Sequence, residues 1–116
     1  MSLASAKSSW DWPDDAPPFV VLATVSAYPA QTYDYRLGYR AGILSVTRHR
    51  AWGVSDHTTD PTTVPAAAVA LGACVVEKHS KMKDWHVAPD ASVSIVPADF
   101  ASMVRAIRLT ERAVRG

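Results

Sequence analysis

Residues 66–79 read AAAVALGACVVEKH, which places a helix, a helix cap and a strand one after another. Residues 66–71 are rich in strong helix formers, and Gly72 is the residue type that most often ends a helix in the left-handed conformation. Residues 73–76 form an apolar run typical of a buried strand, and the polar triplet at 77–79 follows it. This pattern predicts one helix-to-strand unit of an α/β protein.

Similar elements precede this unit in the chain. A continuous apolar run at 19–25 predicts a strand buried on both faces, as in a parallel sheet that helices cover. A second strand is predicted at 51–54, and a weak helical pattern over 34–48 connects the two. Asp60 and Pro61 are typical of a helix cap and a first helical turn. The order β-α-β-α-β predicts parallel strands with right-handed crossovers, in a small open sheet or in a piece of a (β/α)8 barrel.

The two ends of the chain have different characters. Residues 1–18 are rich in Ser, Ala, Asp and Pro, which predicts a flexible arm ahead of a single domain at 19–116. A polar loop is predicted over 80–96 and a last helix over 98–114. One face of that helix carries an apolar stripe, and another carries a row of arginines that we expect to be solvated. The stripe consists of Phe100, Met103, Val104, Ile107 and Val114.

Composition excludes several classes of protein. The 116 residues include 12 Lys and Arg against 11 Asp and Glu, a net charge of +1, which argues against a strongly electrostatic nucleic-acid binder. No apolar run approaches the roughly 18 residues of a membrane helix, and residues 1–9 do not resemble a secretory signal. With one cysteine, Cys74, the chain has no internal disulfide, and we expect a cytoplasmic protein. Cys74 itself is predicted to be a small buried side chain in the third strand.

Polar side chains follow the last two predicted strands. Because side chains alternate along a strand, Ser55 and His57 share one face, and Glu77 and His79 share one face. Sites in α/β folds form at the carboxyl ends of the strands. Two imidazoles with oxygen ligands nearby suit a divalent metal such as Mn, Fe, Co or Zn. The alternative is that these histidines are ordinary hydrogen-bonded loop residues.

Three other aromatic or imidazole side chains have simpler interpretations. His49 and His86 lie in polar segments and are predicted to be solvated. Tyr28 is either a packed aromatic at a strand end or a substrate contact. The sequence contains no glycine-rich phosphate loop and no GxSxG motif.

Several segments, in order from about Phe19 to Arg108, resemble the N-acetylneuraminate (sialic acid) synthase family. WGVSDHT at 52–58 is similar to that family's GYSDHT, and AAVALGACVVEKH at 67–79 is similar to its AAVALGAxVIEKH. The residues SAYP at 26–29, APD at 88–90 and PADFASMVRAIR at 97–108 also match family motifs at the expected distances. Motifs in series are far more specific than any one of them alone.

The resemblance implies a fold and an activity. Members condense phosphoenolpyruvate with an N-acylated amino sugar aldehyde, such as N-acetylmannosamine, to give a nine-carbon acid and phosphate. Their catalytic domain is a (β/α)8 TIM barrel, and they are cytoplasmic. By resemblance, residues 19–116 are the last three β/α units of that barrel.

The resemblance also implies roles for individual residues. His57 and His79 match the two metal ligands, with Mn or Mg as the cofactor that polarises the sugar aldehyde. Glu77 matches a catalytic acid that assists proton transfer beside the metal. Ser55 matches a phosphoenolpyruvate contact. The contacts to the amino sugar are carried over onto Tyr28 and Asp90.

The chain departs from the family pattern at several positions. Ser26 replaces an Asn, Asp60 and Ala88 replace Gly, and Ala91 replaces a His. The segment at 80–83 reads SKMK where the family has FTLD. We expect the two glycine losses to strain loops that need unusual backbone angles. Together, these departures suggest drift in substrate or decay of activity.

Length sets the remaining expectation. A full barrel needs about 250 residues, so three strands would leave two unpaired sheet edges and an open interior. The expected partners are therefore the two substrates and either further copies of the chain or a complementing N-terminal barrel half. The alternative to an enzyme fragment is a non-catalytic remnant that acts as a metal-binding or interaction module.

Overall fold

Strands and helices alternate along the part of the chain that the computed structural model describes, residues 15, 17–46, 51–85 and 87–115. Within it, the parallel strands are β1 (Val20–Thr24), β2 (Ala51–Asp56) and β3 (Val75–Lys78), in the spatial order β1-β2-β3. The α-helices are α1 (Leu37–Val46), α2 (Thr63–Ala70) and α3 (Pro97–Arg115), and short 3-10 helices occupy Thr32–Tyr35 and Ala91–Val93. The predicted α/β class and the parallel pairing are confirmed.

The first helix begins later than predicted. A 3-10 turn at Thr32–Tyr35 precedes α1, so the expectation of one helix from residue 34 is wrong. The Asp34 carboxylate accepts a hydrogen bond from the backbone N–H of Gln31 (3.0 Å), which caps this short turn. Arg36 then adopts a left-handed conformation (φ 45°), which separates the turn from α1.

The predicted C-terminal end of α2 is confirmed, whereas the helix begins at Thr63 after Thr62, so the prediction that Pro61 lies in its first turn is wrong. The Asp60 carboxylate accepts from the backbone N–H groups of Thr62 and Thr63 (2.8 Å each). Gly72 has a φ of 103°, and its N–H donates to the Val69 carbonyl (3.0 Å). The next N–H, of residue 73, donates to the carbonyl one residue further back, that of Ala68 (2.9 Å), which completes a Schellman motif.

The third strand begins and ends two residues later than predicted, at Val75–Lys78. Cys74 lies ahead of it and is exposed, so its prediction as a buried strand residue is wrong. The reason is that Ala73 belongs to the cap of α2. Cys74 contacts the sheet through a backbone hydrogen bond, which its N–H donates to the Trp52 carbonyl (2.9 Å).

One face of the sheet is covered by helices. Trp52 and Val54 of β2 are buried there against Val64 and Ala68 of α2, and Ala23 of β1 joins the same core. These residues alternate with the ones that point to the other side of the sheet. The covered face supplies the main hydrophobic stabilisation of the described fold.

The opposite face is open. Val20 and Val75 on this face are 41% and 38% exposed. At its centre a Cβ on Gly53 would meet the Val75 carbonyl oxygen and the side chains of Leu22 and Val75. The glycine therefore lets β2 and β3 approach closely beneath the carboxyl end of the sheet.

The last helix is amphipathic, but its apolar stripe is only partly covered. Met103 is buried, whereas Phe100 and Val104 are each 39% exposed. The predicted arginine face is exposed, and in it Arg108 pairs with Glu111 (2.8 Å). No helix in the described ranges has both the length and the apolar character needed to cross a membrane.

Some predictions fall where the structure gives no description. The arm at 1–18 lies outside the described residues apart from Asp15, Pro17 and Pro18, which are exposed. His49 and His86 also lie outside them. The loop predicted over 80–96 is described except at residue 86, and a single parallel bridge between Ser80 and Ile95 closes its base.

Candidate active site

The carboxyl ends of β2 and β3 bring four polar residues into register. Ser55 lies opposite Glu77, and Asp56 lies opposite Lys78. On the open face of the sheet, the Ser55 hydroxyl donates a hydrogen bond to Glu77 Oε1 (2.7 Å). On the covered face, the Asp56 carboxylate and the Lys78 ammonium form an ion pair (2.9 Å). At this end of the sheet, the open face therefore carries a hydrogen-bonded hydroxyl and carboxylate, and the covered face carries an ion pair.

His57 is held in one orientation by its surroundings. Its Nδ1 lies 2.7 Å from the Val25 carbonyl oxygen, and because a carbonyl only accepts, Nδ1 carries the proton. The Tyr28 ring stacks on the imidazole with centroids 4.4 Å apart and planes 25° apart. The other nitrogen, Nε2, lies 3.4 Å from Ser55 Oγ on the open face, and in a neutral imidazole it is the nitrogen that carries the lone pair.

His79 lies beside His57 on the same side of the sheet. The two ring centroids are 5.6 Å apart, with planes inclined at 45°. His79 Nδ1 is 3.7 Å from Asp90 Oδ2, and both side chains are partly exposed. A carboxylate in this position is typical of a histidine that binds a metal through its other ring nitrogen.

The structure places all six sequence-predicted site residues in one neighbourhood. Direct contacts join Tyr28 to His57, Ser55 to Glu77, and His79 to Asp90, and the two imidazoles are neighbours. The set comprises Tyr28, Ser55, His57, Glu77, His79 and Asp90. They come from the loop after β1, the ends of β2 and β3, and the long loop after β3.

The donor chemistry of this cluster fits a divalent metal. A histidine ligand usually donates its second ring nitrogen to a carbonyl or carboxylate, and His57 has such a partner. His79 has a carboxylate beside its Nδ1. Within the described residues, however, no group of three or more His, Cys, Asp or Glu side chains is close enough to enclose an ion. The described residues thus offer two imidazole donors, and the other coordination positions of an ion would be left for water or substrate.

Tyr35 is a site residue that sequence reasoning missed. It is fully buried, and its hydroxyl donates to the Ser55 carbonyl and accepts from the His57 N–H (2.7 Å each). Burial, the dominant influence, raises the pKa of this phenol above its ordinary value, so the hydroxyl stays protonated and can donate. No local sequence signal marks Tyr35, because its partners lie 20 and 22 residues away.

The buried Asp56–Lys78 pair was also missed, although a signal for it exists. Alternation puts Ser55 and His57 on one face, so it puts Asp56 on the other, and the same holds for Lys78. Opposite charges at neighbouring strand ends on a covered face predict an ion pair. Both side chains have no exposed surface.

The expected strain at lost glycines is not found. In the described part of the chain, Arg36 is the one non-glycine residue with a positive φ. Asp60 and Ala88 therefore adopt backbone angles that ordinary residues tolerate, and the strain prediction is wrong. Asp60 instead has its own function as the acceptor that begins α2.

A family model and individual relatives identify the same family for this chain. The model of the NeuB family matches residues 9–116. Human N-acetylneuraminate-9-phosphate synthase is 37% identical over 98 residues, which cover 84% of this chain and 27% of that protein. N,N'-diacetyllegionaminic acid synthase of Legionella pneumophila is 36% identical over 92 residues, covering 79% of this chain and 25% of that one. The chain thus spans about a quarter of the length of these relatives.

Solved structures agree with the family match. The spore coat polysaccharide biosynthesis protein SpsE of Bacillus subtilis superposes with a TM-score of 0.77 at 31% identity, over 83% of this chain and 27% of that structure. The sialic acid synthetase of Leptospira borgpetersenii, solved with citrate, also gives 0.77, at 28% identity over 84% and 34%. These neighbours are sialic acid synthase-type barrels, which confirms the predicted partial barrel. The chain belongs to the NeuB family, of whose barrel it covers a part.

Proposed function

We propose that this chain forms part of the active site of a nonulosonic acid synthase. The reaction condenses phosphoenolpyruvate with an N-acylated amino sugar, such as N-acetylmannosamine, to give a nine-carbon acid and phosphate. The relatives named as N-acetylneuraminate-9-phosphate, legionaminic acid and pseudaminic acid synthases support this class of reaction. We expect the protein to act in the cytoplasm.

His57 and His79 would hold the metal, Mn or Mg, through their Nε2 atoms. The observation that carries this proposal is the pairing of the two imidazoles at 5.6 Å, with Nδ1 of His57 committed to the Val25 carbonyl. When bound, the cation supplies Lewis acidity that polarises the sugar's aldehyde oxygen.

Glu77 is the proposed acid–base group. Its carboxylate lies on the open face and accepts the Ser55 hydrogen bond, which keeps it close to the imidazole pair. In the reaction, C3 of phosphoenolpyruvate bonds to the aldehyde carbon, and the aldehyde oxygen gains a proton. Water adds at C2, and the C2–O bond to phosphate breaks. Glu77 would move the proton at the former aldehyde oxygen.

Ser55, Tyr28 and Asp90 would orient the substrates. Ser55 presents its hydroxyl beside Glu77 and is proposed to contact phosphoenolpyruvate. Tyr28 is about half exposed while it stacks on His57, so one side of its ring is available to the amino sugar. Asp90 borders His79 on the opposite flank and can accept hydrogen bonds from sugar hydroxyls or the amide.

A chimera tests the proposal directly. Residues 19–116 of this chain would replace the matching segment of the human relative, and phosphate release from phosphoenolpyruvate would be measured with N-acetylmannosamine or its 6-phosphate. We expect release that requires Mn or Mg and falls by at least about 100-fold with Glu77→Gln, the range that general acid–base groups contribute. A chimera that folds with the human protein's circular dichroism but releases no phosphate would contradict the proposal.

A second candidate is a metal-binding module without turnover. It is favoured by the two imidazoles, which lie 5.6 Å apart and supply metal donors from this chain's own residues. Its partner would be a second copy or a complementing barrel half. Metal binding by the chain together with an inactive, folded chimera would select this candidate.

A further inference from the structure

The Lys78 side chain lies on the opposite face of the sheet from the imidazole pair. Lys78 sits in the chain between two site residues, Glu77 and His79, but its side chain points to the covered face of the sheet. There it has no exposed surface and pairs with Asp56, which is equally buried. The proposed reaction uses neither residue.

The Lys78 ammonium donates all three of its N–H groups to the turn at residues 56–60. It donates to Asp56 Oδ2 (2.9 Å), to the Thr58 carbonyl (2.6 Å) and to the Asp60 carbonyl (3.2 Å). An ammonium has three N–H groups, so none is left over. The other oxygen of Asp56 accepts from the Thr58 N–H (2.8 Å), which closes the turn on itself.

Through Lys78 Nζ, these bonds link the backbone around His57 to the strand that leads to His79. His57 lies between Asp56 and Thr58, both of which contact the ammonium, and His79 is the residue after Lys78. The nitrogen therefore fixes the backbone on both sides of one imidazole relative to the strand end that carries the other.

We propose that Lys78 is a positioning residue that sets the distance and angle between His57 and His79, and through them the affinity of the site for a divalent cation. This inference rests on the proposed metal function of the two histidines. It concerns a residue that contacts neither metal nor substrate. Groups that orient metal ligands by hydrogen bonding to them typically change metal affinity by about 10–100-fold, and we expect an effect in this range from Lys78 acting through the backbone.

A role of Lys78 in fold stability alone must be distinguished from the proposed role in positioning the two histidines. Removing one member of a buried ion pair leaves the other charge uncompensated and destabilises the fold, whereas replacing both members is often neutral. The informative variants are therefore the double change Asp56→Asn with Lys78→Met, and Lys78→Arg, which keeps the charge but alters the direction of the donors. Lys83→Met, a lysine that lies over the Trp85 ring, is the matched control.

The first readout is the Mn dissociation constant, measured well below the melting temperature of each variant. We expect binding weakened by about 10–100-fold in the double variant and several-fold in Lys78→Arg, with Lys83→Met unchanged. Affinity equal to the parent chain in both folded site variants would overturn the proposal, even if their melting temperatures fall.

The second readout needs no metal. In proton NMR of the metal-free chain, the nuclear Overhauser contact between the two imidazoles and the slow exchange of the His57 Nδ1 proton report their arrangement. We expect both to diminish in Lys78→Arg and in the double variant, and persistence of both would overturn the role of Lys78. If the parent chain binds no Mn, the metal proposal fails on its own, and this readout still decides the role of Lys78.

Discussion

The hydroxyl of Tyr35 joins the two backbone groups that flank the turn into His57. It donates to the Ser55 carbonyl and accepts from the His57 N–H, and the ring is fully buried. At the scale of single residues, the site is therefore held by groups that take no part in the proposed chemistry. Val25 contributes in the same way, since its carbonyl fixes the proton on Nδ1 of His57.

Tyr35→Phe tests this contribution. The change removes a hydrogen bond from a buried carbonyl and another from a buried N–H, and a buried polar group that loses its partner costs about 1–3 kcal/mol. We expect the free energy of unfolding, from urea denaturation, to fall by about 2 kcal/mol. The control is Tyr33→Phe, since Tyr33 is 75% exposed and its loss should change stability by less than about 0.5 kcal/mol. Equal stability of the two variants would contradict the assigned role.

The single residues also show what the sequence could predict. Alternation along two strands is a local property, and it is enough to put Ser55, His57, Glu77 and His79 on one side of the sheet. Tyr35 could not be found that way, because it reaches the site from a separate turn through contacts that only the fold creates.

At the scale of elements, caps and close approaches decide where each helix and strand begins. The roles of Asp60 and Gly72 at the two ends of α2 could be predicted, because an Asp just ahead of a helix and a Gly just after one commonly bind its free backbone groups or end it. The start of α1 could not be predicted in this way. The left-handed Arg36 that separates it from the 3-10 turn is a conformation that arginine rarely adopts.

Asp60 gives α2 a pH-dependent start. Backbone hydrogen bonding, first from Thr63, lowers the pKa of its carboxyl below the ordinary 3.8. A lowered folded-state pKa means that the stabilisation is present above pH 3.8 and is lost as the pH falls through the folded value. We expect Asp60→Ala to lower the free energy of unfolding by about 1 kcal/mol at pH 7.

Asp60→Asn is the matched control for the charge. It keeps an acceptor oxygen, so we expect a smaller loss at pH 7 and a weaker dependence on acid. Unfolding followed by circular dichroism from pH 7 to about pH 2.5 measures both effects. A stability difference between the parent and Asp60→Ala that does not shrink in acid would contradict the carboxylate's role.

Gly53 sets the spacing of the strands beneath the site. A Cβ there would meet a backbone carbonyl, which cannot move aside as a flexible side chain can. We expect Gly53→Ala to destabilise the chain by about 1–3 kcal/mol, as overpacking does. Gly38→Ala, in open space on α1, is the control, and it should be neutral or stabilising by up to about 1 kcal/mol. Similar melting temperatures for the two variants would contradict the close approach.

At the scale of the whole molecule, the described chain is a three-stranded part of a barrel with one covered and one open face. The candidate site lies on the open face, at the carboxyl ends of the strands, where α/β folds build their sites. The order of the elements predicted the parallel strands, because β-α-β units admit few arrangements, and the family resemblance implied that the sheet is part of a barrel. It could not predict how much of the apolar stripe on α3 would stay exposed, since coverage depends on what packs beside the helix.

The central claim is that two imidazoles on neighbouring strands share one divalent ion. Calorimetric titration of the chain with MnCl2 at neutral pH tests it most directly, with His57→Ala, His79→Ala and the control His49→Ala measured in parallel. We predict one ion bound per chain, with affinity reduced at least about 10-fold in each of the first two variants and unchanged in the third. Binding of the same strength in His57→Ala and His79→Ala would contradict the account.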